Sequence, residues 1–201
     1  MEYQFKYRIY AEALYDALQE DAFYITLERS VVNSSSKEAM LKYLDYSIKE
    51  STEFGEVVTP ENHDFGISIW SKPLEPAQEL EKKIRKQTFL KVHMGDSSLA
   101  IYNAIVDYMS QKTITLVPAN AWYLSIVGIL PQYQGKGLGP ELVTTILKQT
   151  DQKGIPTYLE TFTPQNMSFY KRLGYKQVEC IHEPTTSATY WIMVRPPSSI
   201  I

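Results

Sequence analysis

One cysteine, Cys180, stands among 201 residues. An intrachain disulfide and a cysteine-based zinc site are therefore both ruled out. The three histidines, His63, His93 and His182, are scattered, with neither the H-E-x-x-H spacing nor a comparable ligand set, so no metal is expected. No run of about 18 apolar residues occurs, and the chain opens Met1-Glu2-Tyr3 without a basic and then apolar stretch. Neither membrane span nor leader is expected, and the address predicted is cytoplasmic, with the nucleus left open. Positive charge is not in excess either: 20 Lys and Arg face 23 Asp and Glu, a net charge of -3. That balance gives no reason to expect a nucleic-acid partner. The one basic run, Glu81-Lys82-Lys83-Ile84-Arg85-Lys86, reads as a solvated helix face.

What is present suffices for a folded core. Apolar residues make up 44% of the chain, enough for a single domain spanning residues 1–201, either monomeric or paired as a homodimer. The first forty residues are hard to read beyond a short amphipathic helix, Tyr10 to Gln19, with Leu14, Ala17 and Leu18 on one side. Ser34-Ser35-Ser36 then supplies a cap for a helix from Lys37 to Lys49, whose Met40, Leu41, Leu44 and Ile48 share a face. Glu56 to Thr59 and Phe65 to Trp70, around the polar turn Pro60 to Asp64, predict an antiparallel hairpin. Two helices follow, about Ala77 to Val92 and Ser98 to Ser110, broken at Gly95-Asp96, with Leu80, Ile84, Leu90, Ile105 and Met109 among their apolar positions.

The last eighty residues carry the stronger pattern. Trp122 to Ile129 is too apolar for a strand with one wet face and predicts a central position. A glycine-rich turn leads from it into a helix, Glu141 to Gln149. A short strand, Thr157 to Thr161, precedes a short helix, Asn166 to Leu173, ended by Gly174. Tyr175 to Cys180 and Ala188 to Val194 close the chain as two strands. The order predicts an α/β core on a mixed sheet.

In the turn Gln134-Gly135-Lys136-Gly137-Leu138-Gly139, glycines at alternate positions let the backbone curl and aim successive N–H groups at one point. Together with the N-terminus of the helix behind it, where Pro140 is welcome in the first turn, this makes an anion site suited to pyrophosphate. A Walker A loop is excluded, because no Ser or Thr follows the lysine. A dinucleotide fingerprint fails as well, since the glycines are spaced by two and lie late in the chain.

The segment Gln134-x-x-Gly137-x-Gly139 resembles motif A of the GNAT superfamily of acyl-CoA N-acyltransferases. The likeness continues through Trp122 to Tyr133 before it, Leu159-Glu160-Thr161, and Asn166 to Tyr175. Among GNAT members it is most similar to puromycin N-acetyltransferase-like ones, whose last strand Trp191 to Arg195 also resembles. The resemblance covers about 75 residues. It implies a mixed, largely antiparallel, splayed central sheet flanked by helices, with residues 121–201 as the coenzyme-binding core and 1–120 as a variable acceptor-side half.

By that resemblance the function is transfer of acetyl from acetyl-CoA to a primary amine, and the expected mechanism is direct transfer in a ternary complex. The main chain of Val127, Gly128, Ile129 and Leu130 would pair with the pantetheine arm. Gln134, Gly135, Gly137, Leu138, Gly139 and Pro140 would hold the pyrophosphate. Lys136 reads equally as a charge near the phosphates or as a solvated lysine. Asn166 matches an asparagine that contacts pantetheine, and reads independently as an N-cap. Tyr170 matches the tyrosine assigned as general acid to the departing thiolate. Glu160, at a strand end beside the splay, is the base candidate, or it orients the ammonium while solvent takes the proton. The acceptor stays open between a small-molecule amine and a protein or peptide amine, and a non-catalytic acyl-CoA-binding protein is the other alternative. Trp70, Trp122, Phe23 and Tyr24 read either as lining of an aromatic acceptor pocket or as packing.

Overall fold

A computed structural model describes residues 3–32, 35–61 and 64–198. At its centre lies one sheet of six strands: β1 (Gly55–Val58), β2 (Gly66–Ser71), β3 (Trp122–Ile129), β4 (Thr157–Thr161), β5 (Lys176–Glu183) and β6 (Ala188–Arg195). The spatial order is β1-β2-β3-β4-β6-β5, and each neighbouring pair is antiparallel except β3 with β4. Seven helices flank it: α1 (Arg8–Ala17), α2 (Ala22–Arg29), α3 (Ser36–Phe54), α4 (Pro76–His93), α5 (Asp96–Leu116), α6 (Gly139–Gln152) and α7 (Met167–Arg172). This is the mixed, largely antiparallel architecture expected, with β3 central as its apolar composition requires.

Each face of the sheet has its own core. On one side α1, α3 and α4 bury Leu14, Leu44, Ile48 and Leu90 against Ile67 and Ile69 of β2. On the other, Leu142, Val143 and Ile146 of α6 cover Trp70, Trp122 and Leu124. Strand β3 serves both because it carries an extra residue. Ile126 lies opposite Ile69 and Leu124 opposite Trp70, so Ser125 is a bulge, its hydroxyl donating to the Ile69 carbonyl at 3.0 Å. Side chains two apart normally share a face. Here Leu124 joins the α6 core and Ile126 the α1 core.

Several expectations need correction. Helix α2 was not foreseen; Asp21 caps it, accepting from the Phe23 N–H at 3.0 Å. Helix α3 runs past Lys49 to Phe54 because Ser51 and Phe54 continue its buried face. Ser35 holds the N-cap position of α3 without a side-chain bond, and Ser34 lies outside the described residues, as do Asn62 and His63 of the hairpin turn. Helix α5 extends to Leu116, where Pro118 soon halts it. On α4 the expected apolar pair is exposed, Leu80 by 59% and Ile84 by 53%, while Lys86, Phe89 and Leu90 are buried. The basic run is therefore not wholly a solvated face. Helix α7 ends as expected, with the Tyr175 N–H on the Tyr170 carbonyl and the Gly174 N–H on that of Lys171.

The C-terminal part of the chain is tied together by Arg195. Its guanidinium grips Asp151 at the end of α6 through two bonds of 2.7 Å and reaches the Leu173 carbonyl at 2.9 Å. Both side chains are nearly buried, and Arg195 holds the Asp151 carboxyl below the usual carboxylate range. A depressed carboxyl contributes stability above its unfolded pKa and loses it as pH falls through the folded one. Arg195→Met should lower unfolding free energy by about 3 kcal/mol at neutral pH. Urea titrations repeated in acid should show that deficit shrinking as Asp151 protonates; a deficit constant with pH would contradict the ion-pair account.

Candidate active site

β3 and β4 stay paired over only two residues, Trp122 with Thr157 and Tyr123 with Tyr158. Past that point the strands part, and the edge of β3 that faces β4 has no partner strand as far as Ile129. The rings of Tyr123 and Tyr158 stack at the fork, 4.7 Å apart and 19° from parallel. The fork opens into a cleft of about 1490 Å³ that takes wall residues from both halves of the chain. A ladder edge left bare inside a cleft presents backbone donors and acceptors that an extended ligand can satisfy.

Val127, Gly128 and Ile129 line this cleft. Leu130 does not, and its N–H is already engaged by the Phe65 carbonyl at 2.9 Å. Gly128 is where α1 comes closest: a Cβ there would sit 2.5 Å from Leu14 Cδ2. Beyond β3 a short turn, Pro131–Tyr133, is followed by Gln134, whose amide donates back to the Ile129 carbonyl at 3.0 Å. Gly135 and Gly137 then adopt φ of +74° and +76°, backbone that side chains with a Cβ rarely take. Both line the cleft, as do Gln134 and Leu138.

Gly139 and Pro140 open α6 and face the same space, so the positive end of a fourteen-residue helix points at it. Unpaired N–H groups, the helix dipole and the curled glycine turn converge as an anion site. Lys136 is not among the wall residues; its ammonium lies over the ring of Tyr133, which is, 5.3 Å from the ring centre.

Glu160, Tyr170 and Asn166 are brought to one cleft. Glu160 sits on β4 just past the fork, on the face of Tyr158 and opposite Ile192. Its Oε1 is sealed from solvent without a hydrogen-bond partner. Although the residue retains some exposed surface, burial of the carboxyl pushes its pKa up to about 7, against a weaker downward pull from Tyr123. Tyr170 of α7 is 7% exposed, and burial pushes its phenol well above the usual value. Asn166 corrects the capping expectation. It makes no side-chain cap bond, because it belongs to the turn Pro164–Asn166 and has helical backbone rather than the extended backbone a cap needs.

Some residues the sequence reading missed also face the cleft. Asp21 caps α2 at the cleft wall, where burial pushes its pKa up to about 6. Its charge is felt by the phenols of Tyr24 and Tyr170. An Asp just before Ala22-Phe23-Tyr24 was a readable N-cap signal. Phe23 and Tyr24 line the cleft, whereas Trp70 and Trp122 are core residues under α6. Cys180 is exposed on β5. Among the described residues no three His, Cys, Asp or Glu gather as a metal site, and no helix is long and apolar enough to cross a membrane.

Comparison with known proteins agrees with this geometry. Residues 77–175 match the model of the Acetyltransferase (GNAT) family. A Schizosaccharomyces pombe protein described as an uncharacterized N-acetyltransferase is 26% identical over 96% of this chain and 81% of its own. Among solved structures, a Corynebacterium glutamicum protein described as histone acetyltransferase HPA2 and related acetyltransferase superposes with a TM-score of 0.62 at 17% identity, covering 96% of this chain and 91% of its own. Arylalkylamine N-acetyltransferase 2 of Aedes aegypti gives 0.60 at 12% identity over 97% and 98%. A Drosophila melanogaster polyamine N-acetyltransferase gives 0.55 at 12% over 94% and 96%. These structures share the fold, and no subgroup, the puromycin N-acetyltransferase-like one included, is singled out.

A carboxyl whose folded pKa is raised contributes stability below its unfolded pKa and loses it as pH rises through the folded value. For Glu160 that window runs from the ordinary carboxylate range up to about 7. Glu160→Gln removes the ionisation, so the variant should gain on the wild type by about 3 kcal/mol between pH 4 and pH 8. Denaturant titrations at the two pH values test this, and parallel pH curves for the two proteins would refute it.

Proposed function

A catalytic acetyltransferase of the GNAT type is what fold and family match support, and we propose that this one carries acetyl from acetyl-CoA to a primary amine of a small molecule. The observation that carries the reading is a single cleft in which the bare edge of β3, the glycine turn and Glu160 all meet. The pantetheine arm lies along Val127, Gly128 and Ile129 as an added strand, and the pyrophosphate sits on the turn from Gln134 to Pro140. Leu130 takes a lesser part, its N–H being spent on Phe65. Asn166, with no capping duty, is available to the arm. Residues 1–120 then act as the acceptor side of one domain and 121–201 as its coenzyme core.

In the reaction the arriving ammonium gives one proton to Glu160, directly or through water; the freed amine nitrogen attacks the thioester carbon, the C–S bond breaks, and the nitrogen's second proton leaves with the sulfur. A primary alkylamine resembles the lysine amine, pKa about 10.4, and arrives protonated. An ordinary carboxylate is about six powers of ten too weak a base for it; at a pKa of about 7 the gap falls to roughly three. Tyr170 plays a different part from a strong acid. With its pKa raised above that of a thiol it keeps its proton, and it stabilises the leaving sulfur as a hydrogen-bond donor. Transfer is direct, since Cys180, the one cysteine, lies on the outer strand β5, away from the cleft wall.

A small acceptor is supported by the aromatic walls of Phe23 and Tyr24 and by the names of the polyamine and arylalkylamine acetyltransferases of like fold. The histone acetyltransferase named among them keeps a protein amine as the second reading.

Calorimetric titration with acetyl-CoA should give saturable binding, and its absence up to millimolar ligand would reject the reading. With an amine panel and detection of released thiol, kcat/KM should rise with pH through an apparent pKa near 7. Glu160→Gln should cost about a hundredfold or more in kcat/KM. Tyr170→Phe should lower kcat by about tenfold or more while leaving coenzyme affinity as it was; unchanged turnover would remove its assigned role. Gly137→Val, which puts a branched side chain at positive φ, should weaken acetyl-CoA binding at least tenfold with little change in acceptor KM.

A further inference from the structure

The cleft also takes wall residues from α3, α4 and α5, and that part of the wall contains a buried ion pair. Lys86 Nζ lies 3.2 Å from Glu50 Oε2, with the two side chains only 10% and 9% exposed. The ammonium also donates to Ser47 Oγ at 3.2 Å and sits over the rings of Tyr43 and Tyr46, 5.0 and 4.7 Å from their centres. Lys86 is thus served on every side. Glu50 is less well served: its Oε1 is sealed from water and has no partner within hydrogen-bond distance, although the Tyr46 phenol lies near enough to feel the carboxylate. Glu50, Lys86, Ser47, Tyr43 and Tyr102 all line the cleft.

An ion pair in a cleft wall with one oxygen unanswered is costly, since each buried charge loses several kcal/mol of hydration and an orphaned acceptor adds to that. A hydrophobic pair would fill the same wall at lower cost. The missing partner is a donor. The terminal torsion of a glutamate is soft, so a group arriving in the cleft can draw Oε1 toward it. An aromatic path connects this end to the reacting end. The ring of Tyr43 meets those of Tyr102 and Tyr24 at 6.3 and 6.5 Å, and Tyr24 lines the same cleft as Tyr170.

We propose that the Lys86–Glu50 wall is a distal subsite for the acceptor, and that it takes a neutral hydrogen-bond donor, a hydroxyl or an amide N–H, at the end of the substrate away from the reacting nitrogen. The assignment of the two ends rests on the acetyltransferase reading above. Neutrality follows from the charges that face the site. Glu50 and Lys86 cancel, Lys72 is paired with Glu56, and the other lining charges on α4, Glu79 and Lys82, oppose each other. The cleft wall as a whole is acidic, with Asp16, Glu20, Asp21 and Glu160 against Arg172, but at the pair itself Lys86 repels a second ammonium. Acceptors with a hydroxyl or amide opposite the amine are the class that fits, ahead of diamines.

Three matched series of linear primary amines test this, differing only at the far end: methyl, hydroxyl or a second ammonium, each over increasing chain length. Binding is measured by calorimetry to the free protein and to protein loaded with coenzyme A, so the outcome does not depend on turnover. At its best length the hydroxyl series should bind about tenfold tighter than the methyl series, and the diamines no tighter than the methyl series. Glu50→Leu with Lys86→Met, a replacement of the pair by apolar side chains of similar size, should erase the hydroxyl advantage. It should leave methyl-series and acetyl-CoA binding unchanged. Should the double variant melt early, a fourth series ending in a methyl ether, which accepts but cannot donate, is the second measurement on the unaltered protein, with the advantage again lost. A hydroxyl advantage absent at every length, one that survives the double variant or is matched by the ether, or diamines binding tightest would each overturn the subsite. Failure of acetyl-CoA to bind would instead strike the acetyltransferase reading, while the amine ratios in the free protein still decide the subsite.

Discussion

The parting of β3 from β4 is the constraint on which the rest of the molecule depends. Two strands that abandon their ladder after two pairs expose backbone groups that folded proteins almost always satisfy. Such an edge persists only if the surrounding structure holds it open and something outside the chain completes it. The outer flanks of both strands are fully engaged, β3 with β2 and β4 with β6, so neither can slide across to close the fork. The stacked rings of Tyr123 and Tyr158 mark the fork point. The turn and α6 begin where β3 leaves the sheet, which puts the anion site at one end of the bare edge and Glu160 near the other.

Two carboxylates show how position rather than residue type sets chemistry. Asp151, gripped by Arg195 and the Ser198 N–H, ionises more readily than usual and stabilises the fold. Glu160, enclosed at the fork without a cation beside it, ionises less readily and weakens the fold as pH rises. The second arrangement suits the proposed role of a group that accepts a proton near neutrality. Stability forgone at Glu160 is matched by basicity gained.

How much of this was legible depended on what each signal measures. The glycine turn could be read because alternate glycines have few uses other than tight curling, and both Gly135 and Gly137 do take positive φ. The strand Trp122–Ile129 was read as central from its apolar content, which needs no knowledge of neighbours. Glu160 and Tyr170 were named by resemblance alone; no periodicity distinguishes them. Lys86 was lost because Leu80 and Ile84 suggested a different inner face for α4, and the true one includes a lysine whose burial depends on Glu50 from another helix. Asn166 shows the reverse case: the residue type suited a cap, but the turn before it set a backbone that does not permit one.

Ser125 has a consequence that concerns what the sheet would otherwise be. A bulge bends its strand and steepens its twist, and β3 loses β4 immediately after Tyr123, two residues before the bulge. One surplus residue thus acts as a wedge in a zipper. Deleting Ser125 would leave Leu124 and Ile126 on their present faces and let β3 run straight beside β4, closing the seam tooth by tooth. The shortened chain would be a better sheet and a worse host, its cleft sealed by hydrogen bonds that the open edge now offers to a ligand.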